Sequence, residues 1–298
     1  MSMANGTLFL GIDGGGTSCR ARIVDADGTV LGEGLGGPTN TTLGIDSAYQ
    51  EIIGTTVKAL TAAQLSESDI GRLHAGFGLA GLHLERDRKA MLAYEHPFAS
   101  LSIGTDAYTA CLGAHDGKDG GIAIFGTGSC GYAIINGEGI NIGGWGFRIS
   151  DHGCGAHVGL EAIRRALQAH DDILPQSEFT HAVMDRFDNN PDKAVIWAES
   201  AKPTDYGTFA PLVVEYARRN DSLAQRILWE SAKEAGQIIH ALQRKGADRV
   251  ALLGGFSKYL KDWLPGEVIP LLVEPKGDAM EGAIRMARQA FEQKGRRI

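Results

Sequence analysis

Near the start of the chain, three consecutive glycines stand between a carboxylate and a hydroxyl, in the run Asp13-Gly14-Gly15-Gly16-Thr17. Glycines let backbone N–H groups approach phosphate oxygens without a Cβ clash, and Thr17 adds a hydroxyl donor. Asp13 would then hold Mg²⁺ through water, because Mg²⁺ takes oxygen ligands and keeps much of its hydration. A plain hairpin turn is the alternative.

A second run of glycine and hydroxyl residues, Gly126-Thr127-Gly128-Ser129, has the same two interpretations. Neither run is a P-loop, since no lysine follows the glycines. The first run also fails the dinucleotide spacing, because Cys19 stands where a third glycine is needed. Two such loops could hold a triphosphate from both sides and, with a metal ion, balance the charge that a lysine usually neutralises.

Asp106 follows a short apolar strand and precedes a helix-like segment. An aspartate in that position is most often a helix N-cap. It is also a candidate for the carboxylate that accepts a proton from an attacking hydroxyl, since phosphoryl transfer needs one such base. Both roles stay open.

A polar, glycine-rich loop carries Gly144, Trp145 and Asp151. Trp145, flanked by glycines, suits stacking on a sugar face, and Asp151 could accept hydrogen bonds from hydroxyls. A structured loop with a half-buried tryptophan is the alternative. His152 and His157 show no convincing partner and are interpreted as ordinary polar positions.

Gly254, Gly255 and Ser257 follow another predicted strand. Their backbone would let an adenosine approach closely. A simple strand-to-helix turn is equally compatible with the pattern.

The elements that position these loops recur along the chain. Strand, glycine loop, strand and turn follow one another twice, at an offset of 111 residues that matches Gly15 to Gly126 and Cys19 to Cys130. We interpret this as a duplicated domain in which each half contributes one loop. Between and after the copies the pattern predicts helices at 45–65, 85–94 and across most of 157–245, strands at 74–79, 101–103 and 249–253, and a last helix that begins with the capping box Asp278-x-x-Glu281.

Bulk properties exclude several classes of protein. The chain has 298 residues and a formal net charge of −7, without the basic face of a nucleic-acid binder. No apolar run approaches the ~20 residues that span a bilayer, and the N-terminus lacks a signal-peptide pattern. The four cysteines form no C-x-x-C pair and no cluster with histidine at metal spacing, which is typical of free thiols in a reducing cytoplasm.

Six segments in order resemble the actin–hexokinase–heat-shock ATPase superfamily, and within it the N-acetylglucosamine and glucosamine kinases with their BadF/BadG-type ATPase domain. These segments are GIDGGGTSCRAR, GTDAYTACLGAH, IAIFGTGSCGY, GGWGFRISDHGCGA, ALLGGFSKY and GDAMEGAIRMA. Each motif is weakly specific by itself, and the ordered set covers nearly the whole chain.

The resemblance implies an α/β fold of two similar lobes, each a ribonuclease-H-like mixed β-sheet flanked by helices, with a nucleotide cleft between them. The first lobe would be residues 1–115 with the C-terminal helix 281–298 packed on it, and the second 116–280. ATP and Mg²⁺ are the implied cofactors, and the implied reaction moves the γ-phosphoryl group to O6 of an amino hexose. Asp106 falls on the family's base and Asn40 on a sugar contact, as do Gly144, Trp145 and Asp151.

The sequence leaves open the sugar substrate, two alternative functions and the oligomeric state. The SDHG motif at 150–153 is closer to glucosamine kinases, whereas GGWG at 143–146 is the N-acetylglucosamine kinase form. A nucleotide-switched activator ATPase with an iron–sulphur cluster is an alternative function, and a sugar sensor is another, although we expect no DNA-binding module before the first strand near Thr7. Monomer and homodimer are both open, and no structural zinc is expected because the cysteine-rich zinc motif of a related sugar-kinase family is absent.

Overall fold

The computed structural model describes residues 6–39, 44–82 and 85–295. Internal contacts divide the chain into two compact units. The first unit is Met1–Gly120, Asn136–Gly139 and Pro275–Ile298, and the second is Gly121–Ile135 and Ile140–Glu274. The predicted lobe boundaries, after residues 115 and 280, lie close to two of these divisions.

The chain contains two five-stranded sheets, one in the first unit and the other mostly in the second. The strands of the first sheet are β1 (Leu8–Gly14), β2 (Cys19–Val24), β3 (Val30–Gly36), β4 (Leu73–Leu79) and β5 (Ser100–Thr105). Those of the second are β6 (Gly120–Phe125), β7 (Ser129–Ile135), β8 (Glu138–Gly143), β9 (Val250–Leu253) and β10 (Leu272–Val273).

Helices account for most of the remaining chain. They are α1 (Ile45–Ala62), α2 (Glu85–Ala93), α3 (Asp106–Ala114), α4 (Gly155–His170), α5 (Glu178–Asp185), α6 (Pro191–Ser200), α7 (Pro203–Gly207), α8 (Ala210–Arg218), α9 (Ser222–Arg244), α10 (Ser257–Leu260) and α11 (Ala279–Gly295). Short 3₁₀ segments occupy Glu67–Arg72, Lys261–Trp263 and Gly266–Leu271.

The first sheet has the order β3-β2-β1-β4-β5, with β1 antiparallel to β2 and parallel to β4, and with β4 parallel to β5. Its central strand β1 is almost wholly buried, as expected of a strand covered on both faces. The parallel register sets Gly14 beside Leu79 and Leu79 beside Thr105. Three parallel strands therefore end together at one edge of the sheet.

Glycines let helices approach this sheet at backbone distance. A Cβ at Gly34 on β3 would stand 2.3 Å from the Thr55 carbonyl oxygen of α1. A Cβ at Gly76 on β4 would stand 2.0 Å from the Ala283 carbonyl oxygen of α11. Helix α11 also packs against α3, so the C-terminal helix lies on the first unit.

The second sheet has the order β10-β9-β6-β7-β8. From β8 to β10 this is the order of the first sheet, with β6 to β10 in the places of β1 to β5. β6 is parallel to β9, as β1 is to β4. The recurrence of strand order confirms the duplication that the 111-residue offset predicts, and with it the fold class of two similar mixed sheets flanked by helices.

A second core fills the helical part of the second unit. Ile227, Leu228 and Leu242 of α9 are buried in it. The predicted strands and helices all occur, and β8, the 3₁₀ segments and the two-residue β10 are additions that the sequence pattern did not show. Within the described residues, no helix has the length and apolar character to cross a bilayer.

Candidate active site

The first glycine loop leaves the sheet at the carboxyl end of β1. The Gly15 amide donates to the Ser18 carbonyl at 2.9 Å, which closes the turn. The Gly14 carbonyl accepts from the Ala80 amide at 2.8 Å, and the Gly15 carbonyl accepts from the Thr39 amide at 3.1 Å. The loop is thus anchored to the chain on either side, while Thr17 is exposed at its tip.

The three glycines of this loop have different surroundings. A Cβ at Gly14 would meet Thr39 Oγ1 at 2.3 Å and Leu79 Cδ2 at 2.5 Å, so packing alone demands glycine there. A Cβ at Gly15 would stand 3.4 Å from the Ser18 carbonyl oxygen, and one at Gly16 would meet no atom of the described residues within 4 Å. Because none of these residues requires Gly16 to be glycine, its missing side chain suits the close approach of a ligand.

Asp13 faces Arg20 across the β1–β2 pair. Arg20 Nε donates to Asp13 Oδ2 at 3.1 Å, and Nη2 donates to the same oxygen. Sequence reasoning missed this ion pair, although two residues on paired antiparallel strands with opposite charge are its usual signal. Both bonds end on Oδ2, so the two oxygens of the Asp13 carboxylate have different surroundings.

Asp106 is the first residue of α3, directly after β5. Thr105 is the N-cap, and its Oγ1 accepts from the Tyr108 amide at 3.1 Å, so the N-cap role considered for Asp106 is wrong. Asp106 Oδ1 accepts from the Ala107 amide at 2.8 Å, and the residue is partly exposed. Since β1 and β5 end in register on either side of β4, Asp106 and Asp13 lie at the same edge of the sheet, on strands about 10 Å apart.

The second glycine loop has the equivalent place after β6. The Gly126 amide donates to the Gly128 carbonyl at 2.9 Å. In turn, the Gly126 and Thr127 carbonyls accept from the first amides of α4, at Gly155 (2.9 Å) and Ala156 (3.2 Å). Thr127 is exposed, as Thr17 is in the first loop.

A cavity of about 500 Å³ adjoins the second loop. It contains predicted residues from two separate segments, Gly126 and Thr127 after β6 and Gly255 after β9, because these parallel strands end together. Sequence analysis missed the rest of its lining, which comes from the first residue of α4, from the ends of α7 and α8 and from α10. These residues are Gly155, Thr204, Gly207, Thr208, Ala210, Pro211, Phe256 and Tyr259.

The other predicted residues of the 254–257 turn have structural roles. Gly254 has φ +89°, and a Cβ there would stand 2.4 Å from the Phe125 carbonyl oxygen. Ser257 is buried, and its hydroxyl donates to the Leu253 carbonyl. The Ser257 side chain is therefore committed to the start of α10, and Gly255 is the residue of this turn that lines the cavity.

The loop between β8 and α4 presents the predicted sugar contacts. Trp145 is 73% exposed, so the alternative of a half-buried tryptophan is wrong. Gly144 adopts φ +75°, and the Asp151 backbone adopts φ +61°, with Asp151 Oδ1 accepting from the Gly146 amide at 3.1 Å. Asn40 lies outside the described residues.

His152 and His157 are not isolated polar positions. Glu234 of α9 approaches both of them, so the interpretation that they lack partners is wrong. Sequence spacing could not show this, because Glu234 is remote in the chain and meets them only through the packing of α9 beside α4.

A family model described as the BadF/BadG/BcrA/BcrD ATPase family matches residues 10–287. The chain belongs to this family. Within it, the chain is 40% identical over 279 residues to a glucosamine kinase of Vibrio cholerae, covering 94% of this chain and 95% of that protein. It is 27% identical over 262 residues to an N-acetyl-D-glucosamine kinase of Dictyostelium discoideum, covering 81% of each.

The fold comparison agrees with this membership. A solved structure named for an N-acetylglucosamine kinase of Chromobacterium violaceum matches with a TM-score of 0.86 and 34% identity. The match covers 94% of this chain and 99% of that one. Chain and relative therefore share both sheets and their helices.

The cysteines bear on the activator alternative within the BadF/BadG/BcrA/BcrD ATPase family. Cys19, Cys111 and Cys154 are buried, and Cys130 is partly buried. Burial raises the pKa of Cys19 and of Cys154 to about 11, which keeps both as thiols. A cluster shared between subunits needs exposed thiolates, so these surroundings disfavour that alternative.

Proposed function

We propose that this chain is an ATP-dependent kinase that phosphorylates an amino sugar, glucosamine or N-acetylglucosamine, at O6. The relatives named for these two activities cover most of the chain. The 40% identity to the Vibrio cholerae glucosamine kinase favours the free amine as the first acceptor to test.

The observation that carries the proposal is the common end of three parallel strands. Gly14, Leu79 and Thr105 lie side by side, so the approachable loop after β1 and the carboxylate after β5 share one edge of the sheet. Ligands of α/β sheets bind at the carboxyl ends of parallel strands. A phosphate loop and a base at that edge are the two parts that phosphoryl transfer to a hydroxyl requires.

In the proposed reaction, Asp106 accepts the proton of the sugar O6 hydroxyl as that oxygen attacks the γ-phosphorus. The O6–P bond forms, the bond between the γ-phosphorus and the bridging oxygen breaks, and ADP leaves with the bonding electron pair. The Ala107 amide bond to Oδ1 orients the carboxylate that would accept this proton.

We assign the phosphates to the two glycine loops. The Gly16 amide and the exposed Thr17 hydroxyl would donate from the first loop, and Thr127 and Gly128 from the second. When bound, Mg²⁺ would supply positive charge to the transferring phosphoryl group, and Asp13 would hold it through water. Arg20 adds a positive charge beside Asp13, where the missing P-loop lysine would otherwise contribute one.

We assign the acceptor to the loop before α4. Trp145 offers an exposed aromatic face that suits stacking on the sugar ring, and Asp151 offers a carboxylate for its hydroxyls. Gly144 allows the tight turn that presents them, since a Cβ there would stand 2.9 Å from Cys130 Cβ. Asn40 is included among the proposed sugar contacts only because of the family resemblance.

The cavity beside the second loop is assigned to the adenosine of ATP. Its hydroxyls and aromatic rings suit a nucleoside, and Gly255 has open space where a Cβ would be. A kinase that draws on ATP is expected to act in the cytoplasm on a small molecule, with neither nucleic acid nor membrane as a partner.

A coupled assay of sugar-dependent ADP formation tests this function. It is run with glucosamine, N-acetylglucosamine, glucose and N-acetylmannosamine, and the product is examined by phosphorus–proton NMR correlation. We expect turnover with an amino sugar and a phosphate coupled to the C6 protons. Activity with none of the four sugars, or phosphate at another carbon, would refute the proposal.

A further inference from the structure

A group of potential metal ligands lies in the second unit, beginning at the residue after Asp151. His152 in the loop before α4, His157 in the first turn of α4 and Glu234 in α9 each offer a ligand atom, and these atoms all lie within 4.8 Å of one another. His152 Nδ1 and Glu234 Oε1 are 3.8 Å apart. The His152 and His157 rings meet edge to face, with centroids 5.1 Å apart.

The surroundings orient one imidazole for metal binding. His157 Nε2 lies 3.0 Å from the Phe147 carbonyl oxygen. A carbonyl oxygen can only accept, so Nε2 carries the proton and Nδ1 is the nitrogen left to bind a cation. Histidines that bind metals commonly donate their other N–H to a backbone carbonyl in this way, which fixes the tautomer and the ring.

The backbone around His152 is also fixed. The Ser129 hydroxyl donates to the His152 carbonyl at 2.6 Å, and the Ser231 hydroxyl donates to the Gly153 carbonyl at 3.0 Å. Ser231 lies one turn before Glu234 on α9, so the same helix holds the loop and supplies the carboxylate. The side chains of His152 and Glu234 are 59% and 40% exposed, which leaves both able to adjust.

Charge distinguishes Glu234 from its acidic neighbours. The group borders a cavity of about 360 Å³ that is also lined by Glu161 and Glu230. Arg164 pairs with Glu161 at 2.8 Å and Arg226 pairs with Glu230 at 3.1 Å. Glu234 instead faces an imidazole.

We propose that His152, His157 and Glu234 bind a divalent transition-metal ion, with Zn²⁺ as the best match. Two imidazoles and one carboxylate, with a fourth position open to solvent, form a donor set that Zn²⁺ accepts in proteins. Mg²⁺ and Ca²⁺ prefer all-oxygen surroundings, so this site differs in chemistry from the proposed magnesium position at Asp13. Ligands about 2.1 Å from a tetrahedral ion stand about 3.4 Å apart, so a small rotation of exposed side chains closes the group.

The test uses the full-length, untagged protein after treatment with a chelator. Zn²⁺ binding is measured by calorimetry, and Co²⁺ is used as a spectroscopic probe because its visible absorption reports coordination geometry. We expect one Zn²⁺ per chain, an affinity at least 100-fold above that for Mg²⁺, and Co²⁺ bands typical of tetrahedral coordination. Saturating Zn²⁺ should also raise the Tm, since an ion that binds the folded chain stabilises it.

Variants locate the site. His152→Gln, His157→Gln and Glu234→Gln should each weaken Zn²⁺ binding at least tenfold and remove the rise in Tm. Glu230→Gln is the matched control, because it removes a carboxylate one turn away on the same helix and should leave binding unchanged. Should His157→Gln fail to fold, the exposed His152→Gln and Glu234→Gln still decide the question.

Two results would overturn the proposal. One is the absence of 1:1 Zn²⁺ binding in the wild-type protein. The other is Zn²⁺ affinity that stays within threefold of wild type in both His152→Gln and Glu234→Gln. Both outcomes are independent of kinase activity, so they are distinguishable from failure of the proposed function.

Discussion

Oδ2 of Asp151 lies 2.7 Å from the position that a Cβ at Gly128 would occupy. The proposed sugar carboxylate therefore rests directly on the second glycine loop, and its other oxygen is held by the Gly146 amide. Gly128→Ala should displace Asp151, because the new methyl group and a fixed carboxylate cannot share that space. We expect the KM for the sugar to rise at least tenfold, measured with ATP at saturation.

Gly126→Ala is the matched control for this effect. In the part of the chain that the structure describes, a Cβ at Gly126 meets no atom within 4 Å, yet Gly126 lines the proposed adenosine cavity. This variant should raise the KM for ATP and leave the KM for the sugar within about twofold of wild type. Equal effects of both variants on the sugar KM would contradict the contact between Gly128 and Asp151 as the cause.

The first loop permits a similar comparison of fold and function. Gly16→Ala should fold with wild-type stability, because open space surrounds the new methyl group, and should raise the KM for ATP. Gly14→Ala should lower the free energy of unfolding by about 1–3 kcal/mol or more, since the methyl group would overlap Thr39 and Leu79. Urea unfolding and ATP kinetics on both variants check this. A Gly16→Ala enzyme with unchanged ATP kinetics would remove the loop from the phosphate site.

The pair of Arg20 and Asp13 predicts an effect on magnesium. Arg20→Met would remove the guanidinium that pairs with the Asp13 carboxylate beside the proposed phosphate loop. Repulsion should raise the KM for ATP severalfold at low Mg²⁺, and added Mg²⁺ should restore it by neutralising Asp13. The measurement is the KM for ATP across a Mg²⁺ series. A KM that is unchanged at every Mg²⁺ concentration would exclude Asp13 from the metal site.

Asp278 caps α11 and links it to the sheet. Its Oδ1 accepts from the Glu281 amide at 2.9 Å, and Arg22 donates to both carboxylate oxygens at 2.9 and 2.8 Å. Burial alone would raise the pKa of Asp278, but these bonds outweigh burial and lower the pKa below its usual range. Asp278→Ala should therefore cost about 1–2 kcal/mol of unfolding free energy at pH 7, and Asp278→Asn, which still caps, should cost less.

The pH dependence of that stability follows from the lowered pKa. A carboxyl whose pKa is depressed by folding stabilises the fold above its unfolded pKa of about 3.9. This contribution is lost as the pH falls through the lower, folded pKa. Urea titrations of wild type and Asp278→Asn at a series of pH values should converge in acid, and a constant difference at all pH values would contradict the ion pair.

Local patterns were enough to predict the sheets and the loops between their strands. Asp13, Gly14 and the loop after them stand out because glycine runs between apolar strands are rare and have a clear physical use. The 111-residue repeat indicated that the two sheets have the same strand order, because a duplicated sequence forms a duplicated sheet.

Contacts between distant segments could not be predicted in the same way. Glu234 meets His152 only because α9 packs beside the loop before α4, and no spacing in the sequence encodes that approach. Thr204 and Tyr259 line the cavity for the same reason. Thr105 and Asp106 are both residue types that suit an N-cap. Because α3 begins at Asp106, Thr105 is the N-cap.

The most direct test of the account compares wild type with Asp106→Asn in glucosamine-dependent ADP formation, with binding of ATP and sugar measured on the same samples. A positioned general base contributes about 10²–10⁴-fold to the rate. We therefore expect kcat to fall by at least about 100-fold, with both ligands bound within severalfold of wild-type affinity and the Tm unchanged. Near-normal kcat in Asp106→Asn would contradict the role of Asp106 as the base, and with it the proposed mechanism of phosphoryl transfer.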